Sequence, residues 1–388
     1  MKNNIYFISA SDRFNYGDVL FPLIFSKKCE QASIKFHNVA LVNSNLSSKG
    51  GIKTISFRKM EKLIDNNDKV ILGGGELLYP NWHILLTYIY KMYFWMSKIS
   101  LLNRALIKFN VANKILSKNN VKYPFSFDAN DFKLNNLNVY YSSVGGNITK
   151  NTKDLTNKLD KLNKAKLVSF RDNRAYNSFY NLGVINAKLV PDSAFIMSDF
   201  YSKDYLNNLL PNNLKDLKYI SVQFGLGKQP QDLISFCKIL NNYAELNNFK
   251  VVLTPIGLTY GHDDLVVLNK MKDLFPNFIL SNPKTVFEIM SIISHAQMYI
   301  GTSLHGAITA LSYNVIPIGY NSNITKLQSY LKTWVCDEFF NLNEDTFNEI
   351  NLNQLVNLFH SNFSMHKLQD QKLKVHQNLE FIINDQVC

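Results

Sequence analysis

The sequence predicts an α/β protein with two doubly wound domains that face each other across a cleft. Three observations support this. Short strand-like runs alternate with helical patterns along most of the 388 residues, which is typical of parallel sheets covered by helices on both faces. The alternation occurs in two blocks, and a chain of this length exceeds one ordinary hydrophobic core. Several glycines directly follow strands, where open parallel sheets bind ligands.

The strand-like runs divide into two groups. The first block contains "NIYFIS", "NVALV", "KVILGGG", "NVYYSSVGG", "KLVSF" and "AKLV". The second contains "KYISVQFGLG", "FKVVLTPIG", "NFILS", "QMYIG" and "VIPIG". Strand periodicity lapses across residues 191–213, so we predict domains at residues 1–198 and 199–342. Residues 343–388 have helical spacing, and we expect them to pack back onto the first domain.

The formal net charge of +12 favours an anionic partner, such as a phosphorylated small molecule or an anionic membrane surface. Nucleic acid is not expected, because the lysines are scattered and no aromatic RNA-binding signature or zinc-finger spacing is present. The four cysteines are far apart in sequence and suggest neither a zinc site nor a disulfide framework. The N-terminal apolar run is too short for a signal-peptide core, which predicts a cytoplasmic protein.

Residues 84–109, "ILLTYIYKMYFWMSKISLLNRALIKF", are apolar and aromatic but carry regularly spaced basic residues. A transmembrane helix needs about twenty residues nearly free of charge. Two interpretations remain open at this stage. The segment is either a buried helical pair whose lysines reach the surface, or a helix that lies on an anionic membrane at the inner face of the cell membrane.

Glycines follow several predicted strands, and such glycines allow the backbone to turn tightly and to bring its amide groups close to a ligand. They are Gly73, Gly74, Gly75, Gly145, Gly146, Gly225, Gly227 and Gly301. The run "GGGELL" is not a dinucleotide fingerprint, since Leu78 occupies the third glycine position, and "GLGKQP" is not a Walker loop. The position of all these glycines at strand ends predicts a cleft between the domains.

The stretch "YIGTSLHGAITALSY" places a histidine at a predicted helix start. Thr302 or Ser303 is suited to cap a helix over residues 304–313, so His305 lies in the first turn, where the helix dipole favours anions. The dipole disfavours the imidazolium when the site is empty, and a bound phosphate or carboxylate would restore it. The pattern fits a general acid loaded by its own anionic substrate, although a packing role remains open.

Five motifs, taken in order, resemble the polysaccharide pyruvyltransferase family. "GTSLHGAITALSYNVIPI" is similar to its C-terminal Leu-His-Gly or Leu-His-Ala signature. "NYGDVL" resembles its Asn-x-Gly-Asp element, "ILGGGELL" its glycine loop, "SFRDNRAYNSFYNLG" its Arg-Asp or Arg-Glu helix, and "LVPDSAF" its Pro-Asp or Ala-Asp turn. The resemblance extends from Asn15 to about Tyr320.

The resemblance implies transfer of a pyruvyl group from phosphoenolpyruvate to a sugar of a surface polysaccharide or its lipid-linked precursor, with formation of a cyclic ketal. It also implies a glycosyltransferase-B-like fold, with two Rossmann-like domains facing a cleft, and no cofactor beyond the donor substrate. His305 would be the catalytic acid, and Arg171 would bind the donor's anionic groups. Many family members have arginine two residues before the histidine, where this chain has Ser303, and this departure puts the donor in question.

Other residues complete the predicted site. Lys228 could replace the missing cation, and Arg174, one helical turn after Arg171, could share its anion. The general base is sought among Asp18, Glu76 and Asp192, each of which could equally be a structural carboxylate. The remaining residues expected at the substrate are Asn15, Gly74, Gly75, Gly225, Thr302, Leu304 and Gly306.

Two further points stay open. "YGHDDLVVL" contains His262, Asp263 and Asp264, but the two aspartates are more simply explained as N-cap and first-turn residues of a helix, and no metal is expected. A nucleotide-sugar glycosyltransferase of the same architecture is the main alternative function, since fold does not determine chemistry. A non-catalytic saccharide-binding protein is a further alternative.

Overall fold

The computed structural model describes residues 4–78, 80–119, 121–149, 152, 154–257, 263–321, 323–336, 338, 342–363 and 365–385. It contains two parallel sheets with helices on both faces, which confirms the predicted fold class. The first sheet has the strand order β3-β2-β1-β4-β5-β6-β7, and the second has the order β10-β9-β8-β11-β12.

Each of the eleven strand-like runs contains a strand. The first sheet consists of β1 Ile5–Ile8, β2 His37–Ala40, β3 Ile55–Ser56, β4 Lys69–Gly73, β5 Asn138–Val144, β6 Leu167–Phe170 and β7 Ala187–Leu189. The second consists of β8 Tyr219–Gln223, β9 Lys250–Leu253, β10 Ile279–Leu280, β11 Met298–Gly301 and β12 Ile316–Gly319. Strand β3 was not predicted, because two half-buried residues at a sheet edge are too few to show a periodicity.

The helices connect these strands. They are α1 Tyr16–Gln31, α2 Phe57–Leu63, α3 Trp82–Ile89, α4 Lys91–Lys98, α5 Ser100–Lys108, α6 Val111–Leu116, α7 Leu155–Lys164, α8 Asn173–Tyr180, α9 Lys203–Asn207, α10 Leu233–Leu246, α11 Asp264–Leu274, α12 Val286–Ser294, α13 Leu304–Ser312, α14 Thr325–Trp334, α15 Glu349–Asn362 and α16 Met365–Asn384. Helix α13 matches the helix predicted around His305, and Ser303 is its N-cap.

The strand order determines where a ligand site can form. In each sheet the chain reverses its direction of strand addition once, between β1 and β4 in the first sheet and between β8 and β11 in the second. Ligands of open parallel sheets bind beyond the carboxyl ends of the strands at such switch points. Residues that follow these four strands, among them Asn15, Gly75, Gly225 and Thr302, line one shared cavity between the sheets.

The last helix returns to the first sheet. Lys69, the first residue of β4, is buried and donates hydrogen bonds to the carbonyl oxygens of Ile382 and Ile383, both at 3.1 Å. The Tyr140 hydroxyl donates to Asp385 at 2.6 Å. Helix α16 therefore has its carboxyl end fixed to the middle of the first sheet, while α15 packs against α10 of the second.

Residues 84–109 do not form a buried helical pair, so that interpretation was wrong. They span α3, α4 and α5, which are short helices of eight or nine residues. Helices α4 and α5 each bury a single side chain, Tyr93 and Leu106 respectively. Within the part of the chain that the structure describes, no helix is both long and apolar enough to span a bilayer.

Candidate active site

His305 occupies the first turn of α13. The Ser303 hydroxyl accepts a hydrogen bond from the Gly306 amide at 3.3 Å and so caps the helix. The imidazole has 16% exposure and meets the ring of Phe21 edge-on at 5.3 Å. It also packs directly on Gly17, where a Cβ atom would lie 1.9 Å from Nδ1. The motif Asn-x-Gly-Asp at the start of α1 therefore provides the surface on which the histidine rests.

Arg171 follows β6 and is 1% exposed. Its Nη1 donates to Asp192 Oδ2 at 3.1 Å, and its Nε lies 3.8 Å from Asp172 Oδ2. The guanidinium passes over Gly145, where a Cβ would be 2.7 Å from Nε. A register shift between β5 and β6 directly precedes this glycine, and bulges commonly re-aim side chains next to active sites. A side chain at position 145 would therefore displace Arg171.

The carboxylate of Asp192 lies between Arg171 and His305. Its Oδ1 accepts from the Ala194 amide at 3.0 Å, and its Oδ2 lies 3.8 Å from His305 Nε2. That histidine nitrogen and the Nε of Arg171 are both buried without a hydrogen-bond partner in the described part of the chain. Buried polar atoms normally have partners, so both atoms are placed to receive one from a ligand.

The electrostatics keep His305 neutral in the empty site. Burial, followed by the positive charges of Arg171 and Lys326, holds the pKa of His305 well below its ordinary value. The sequence had suggested that the helix dipole disfavours the proton, whereas burial is the largest cause. A bound anion would oppose both positive charges, so the pKa of His305 should rise when a phosphate or carboxylate enters.

The three candidate base carboxylates differ in their surroundings. Burial opposes the charge on Glu76, but Arg171, Arg174 and Lys326 outweigh it, and the pKa of Glu76 lies below its ordinary value. Asp192 is fully buried against Arg171. Asp18 is half-buried beside the cavity, and burial raises its pKa despite the nearby cations.

The cavity between the two sheets has a volume of about 220 Å³. Most of the predicted site residues line it: Asn15, Asp18, Gly75, Glu76, Arg171, Gly225, Lys228, Thr302, Ser303, Leu304 and His305. They come from the switch points of both sheets and from β6, so the structure brings together positions that are distant in sequence.

Four predicted residues lie behind or beside this cavity. Gly74 packs on the ring of Phe21, and Gly306 packs on Tyr299. Asp192 lies beneath Arg171 and His305. Arg174 pairs with Glu76 and donates to Thr325 Oγ1 at 3.0 Å, so its guanidinium connects the glycine loop to α14.

The sequence reasoning missed Lys326 and did not place Asp264 at the cavity. Lys326, in the first turn of α14, lines the cavity. It follows β12, and its position after a strand of a parallel sheet was a usable signal. Asp263 occupies the N-cap position of α11 without a side-chain cap bond. Asp264 is in the first helical turn, as expected, but it is buried and lines the cavity. His262 lies outside the described residues.

Asp264 organises the half of the cavity that belongs to the second sheet. Its Oδ2 accepts from the amides of Ile256 and Gly257 at 2.9 and 2.7 Å, and from Gln223 Nε2 at 2.8 Å. Burial raises the pKa of Asp264 to about 6 although these hydrogen bonds favour the carboxylate. Asp264, Ile256, Gly257 and Gln223 all line the cavity, as does Gly17. The sequence predicted none of these five as site residues.

The two parallel sheets with a cavity between them define a glycosyltransferase-B-like fold. The sequence model of the polysaccharide pyruvyl transferase family matches residues 15–323. The chain belongs to this family, which is a family of transferases acting in polysaccharide biosynthesis. A comparison with curated protein sequences found no match.

Solved structures with the same fold include UDP-N-acetylglucosamine 2-epimerases. The Rickettsia bellii epimerase has a TM-score of 0.52 at 10% identity, covering 99% of this chain and 96% of its own. A Listeria monocytogenes protein described as such an epimerase has a TM-score of 0.54 at 10% identity, covering 99% and 98%. The Methanocaldococcus jannaschii enzyme has a TM-score of 0.50 at 13% identity, covering 92% of each chain. At these identities the likeness concerns the fold alone.

Proposed function

We propose that this protein transfers a pyruvyl group from phosphoenolpyruvate to two hydroxyls of a saccharide, forming a cyclic ketal. The acceptor belongs to a surface polysaccharide such as a capsule or exopolysaccharide, or to its lipid-linked precursor. The observation that most supports the proposal is the buried Nε2 of His305, which has no hydrogen-bond partner within the described ranges and lies in a cavity that also contains Arg171, Lys228 and Lys326. A histidine that is neutral in the empty site and surrounded by cations suits a small, multiply charged anion.

The donor carries a phosphate and a carboxylate, and the cavity offers three cations for them. Arg171 lines the first-sheet side of the cavity, and Lys228 and Lys326 line the second-sheet side. Among the described residues, the Nε of Arg171 has no hydrogen-bond partner. Lys228 stands beside Gly225, where a Cβ would be 3.9 Å from its Nζ. These lysines supply the positive charge that the resemblance places two residues before the histidine, where Ser303 instead caps α13.

His305 serves as the general acid. Donor binding raises its pKa, the ring takes up a proton, and it donates this proton to the methylene carbon of phosphoenolpyruvate. The neighbouring carbon then becomes electrophilic, and the first sugar hydroxyl adds to it. Phosphate leaves with its bridging oxygen, the second hydroxyl adds to the same carbon, and the ketal closes. The net products are the pyruvylated saccharide and inorganic phosphate.

Asp18 is the best placed of the three carboxylates to act as general base. A base needs a free lone pair and a pKa not far below neutral. Glu76 is engaged by Arg174 and has a lowered pKa, and Asp192 is bound to Arg171 and the Ala194 amide. Burial raises the pKa of both Asp18 and Asp192, but of these two Asp18 lines the cavity and Asp192 does not, so we assign to Asp18 the proton of an attacking hydroxyl.

No contact or distance among the described residues specifically favours the alternative function, a nucleotide-sugar glycosyltransferase. Glycosyltransferase-B-like folds serve several chemistries, and the epimerases resemble this chain at identities of 13% or less. Stabilisation of the protein by a nucleotide sugar, and not by phosphoenolpyruvate, would favour it.

Ligand-induced thermal stabilisation tests the donor, because a ligand that binds only the folded state raises the melting temperature. Phosphoenolpyruvate should stabilise the protein more than UDP-, GDP- or CMP-sugars do. Arg171→Ala and Lys326→Gln should each reduce that stabilisation, whereas Lys332→Gln, on an exposed part of the same α14, should not. Stabilisation by a nucleotide sugar alone would contradict the proposed donor.

A further inference from the structure

An exposed surface extends from the end of α3 along α4 and α5, and we call it the α4–α5 face. It consists of the solvent-exposed side chains of residues 88–109 and includes large apolar ones. Met92 is 76% exposed, Leu101 78% and Trp95 56%. Further exposed apolar side chains on it are Tyr88, Tyr90, Ile99, Leu102, Ile107 and Phe109. Contiguous apolar exposure of this kind marks an interaction surface.

The charge of this surface has one sign. Residues 77–127 contain no aspartate or glutamate. The same stretch carries seven basic residues: Lys91, Lys98, Arg104, Lys108, Lys114, Lys118 and Lys122. Those of the α4–α5 face are exposed and alternate with its apolar side chains; the ammonium of Lys98, for example, lies 4.9 Å from the ring centre of Phe94. The partner therefore has to accept apolar side chains while presenting negative charge.

We infer that the α4–α5 face docks on the surface of an anionic lipid bilayer. Short helices with aromatic and aliphatic side chains beside lysines insert into the boundary between headgroups and acyl chains, and each basic residue near anionic lipid adds to the affinity. A second copy of this chain fits poorly, because pairing the two faces would bring like charges together. The inference does not depend on pyruvyl transfer.

The geometry connects this face to the cavity. Helix α3 follows the glycine loop that lines the cavity, and its His83 bonds the hydroxyl of Tyr93 on α4 at 2.8 Å. The guanidinium of Arg13, two residues before the cavity residue Asn15, stacks over Tyr88 at 5.7 Å. Docking through α4 and α5 would therefore place the first-sheet side of the cavity near the bilayer, where a lipid-linked saccharide would be presented.

Vesicle sedimentation and tryptophan fluorescence test the inference. Trp82 and Trp334 are buried and Trp95 is exposed, so a blue shift on adding vesicles reports Trp95 entering the bilayer. We expect the protein to sediment with phosphatidylcholine vesicles containing phosphatidylglycerol, less so as salt is added, and to show the blue shift. Lys91→Glu plus Lys98→Glu should weaken partitioning by roughly 30-fold or more.

A matched control and a second variant complete the design. Lys238→Glu plus Lys270→Glu makes the same charge change on exposed positions of α10 and α11 and should leave binding unchanged. Met92→Asp plus Leu101→Asp should also abolish binding, through loss of apolar contact. Equal recovery in the supernatant with and without vesicles would overturn the inference. Concentration-dependent dimerisation that Met92→Asp plus Leu101→Asp removes, without vesicle binding, would assign the face to a second copy instead.

Discussion

Gly17 has no side chain, and this absence leaves the space that the ring of His305 occupies. A Cβ atom at this position would meet the imidazole at 1.9 Å from Nδ1 and 2.3 Å from Cε1. Both atoms belong to the imidazole ring, which also meets Phe21 edge-on, so a methyl group at position 17 would force the ring out of its present place. The absence of a side chain at position 17 is therefore part of the site.

We predict that Gly17→Ala leaves the protein folded but displaces His305. Alanine is a better helix former than glycine by about 1 kcal/mol, so α1 itself should not suffer. Turnover should fall by roughly 10²-fold, the scale expected when a general acid is lost. Lys27→Ala, on the exposed side of the same helix, is the control. Steady-state kinetics with circular dichroism would measure both, and a Gly17→Ala enzyme of normal rate would contradict this packing role.

The lowered pKa of His305 predicts that donor binding takes up a proton. In the empty site burial, Arg171 and Lys326 disfavour the imidazolium, and the negative charge of the donor reverses part of this effect. Affinity for phosphoenolpyruvate should therefore rise as pH falls through the pKa that His305 has in the donor complex, which lies above its pKa in the empty site. Calorimetry in buffers of different ionisation enthalpy measures the proton uptake.

The donor's own phosphate also titrates, so His305→Gln is the necessary control. The wild-type protein should take up more protons on binding than this variant does. Equal uptake by the two proteins would mean that His305 does not change its charge when the donor binds.

At the level of elements, α16 and β4 form the connection between the end of the chain and the switch point of the first sheet. The ammonium of Lys69 bonds two carbonyls in the last turn of α16, where a helix has unpaired carbonyls and favours positive charge. The opposite end of β4 continues into the glycine loop beside the cavity. The helix thus supports the strand on which that loop is built.

We predict that Lys69→Met destabilises the protein by roughly 1–3 kcal/mol, because it leaves two buried carbonyls without a donor. Methionine keeps the length of the side chain, so little cavity is created. Urea denaturation should show an earlier midpoint than for wild type, whereas Lys238→Met on the exposed surface of α10 should match wild type. Identical midpoints for Lys69→Met and wild type would show that water satisfies those carbonyls.

At the scale of the whole molecule, the fold was predictable from local features of the sequence. Alternating strand and helix patterns need no knowledge of tertiary contacts, and all eleven strand runs were recognisable. The position of His305 was also predictable, because a capping hydroxyl and helical spacing define the start of α13.

The parts that were missed depend on contacts between distant segments. Lys326 and Asp264 show their role only when β12 and α11 are brought to the cavity. Arg174 looked like a partner of Arg171 from its spacing on α8, but Glu76 and Thr325 approach it from other segments and engage its guanidinium. Residues 84–109 were apolar enough to suggest burial, and only the packing shows that α4 and α5 leave most of those side chains exposed.

The central claim is that this protein adds a pyruvate ketal to a glycan with His305 as the acid. The most direct measurement is mass spectrometry of the surface glycan from producing cells that carry the wild-type chain, no chain, or His305→Gln. The ketal should be present with the wild type, absent without the chain, and nearly absent with the variant at equal protein level. A glycan that keeps its ketal without the chain, or that instead lacks a sugar residue, would contradict the claim.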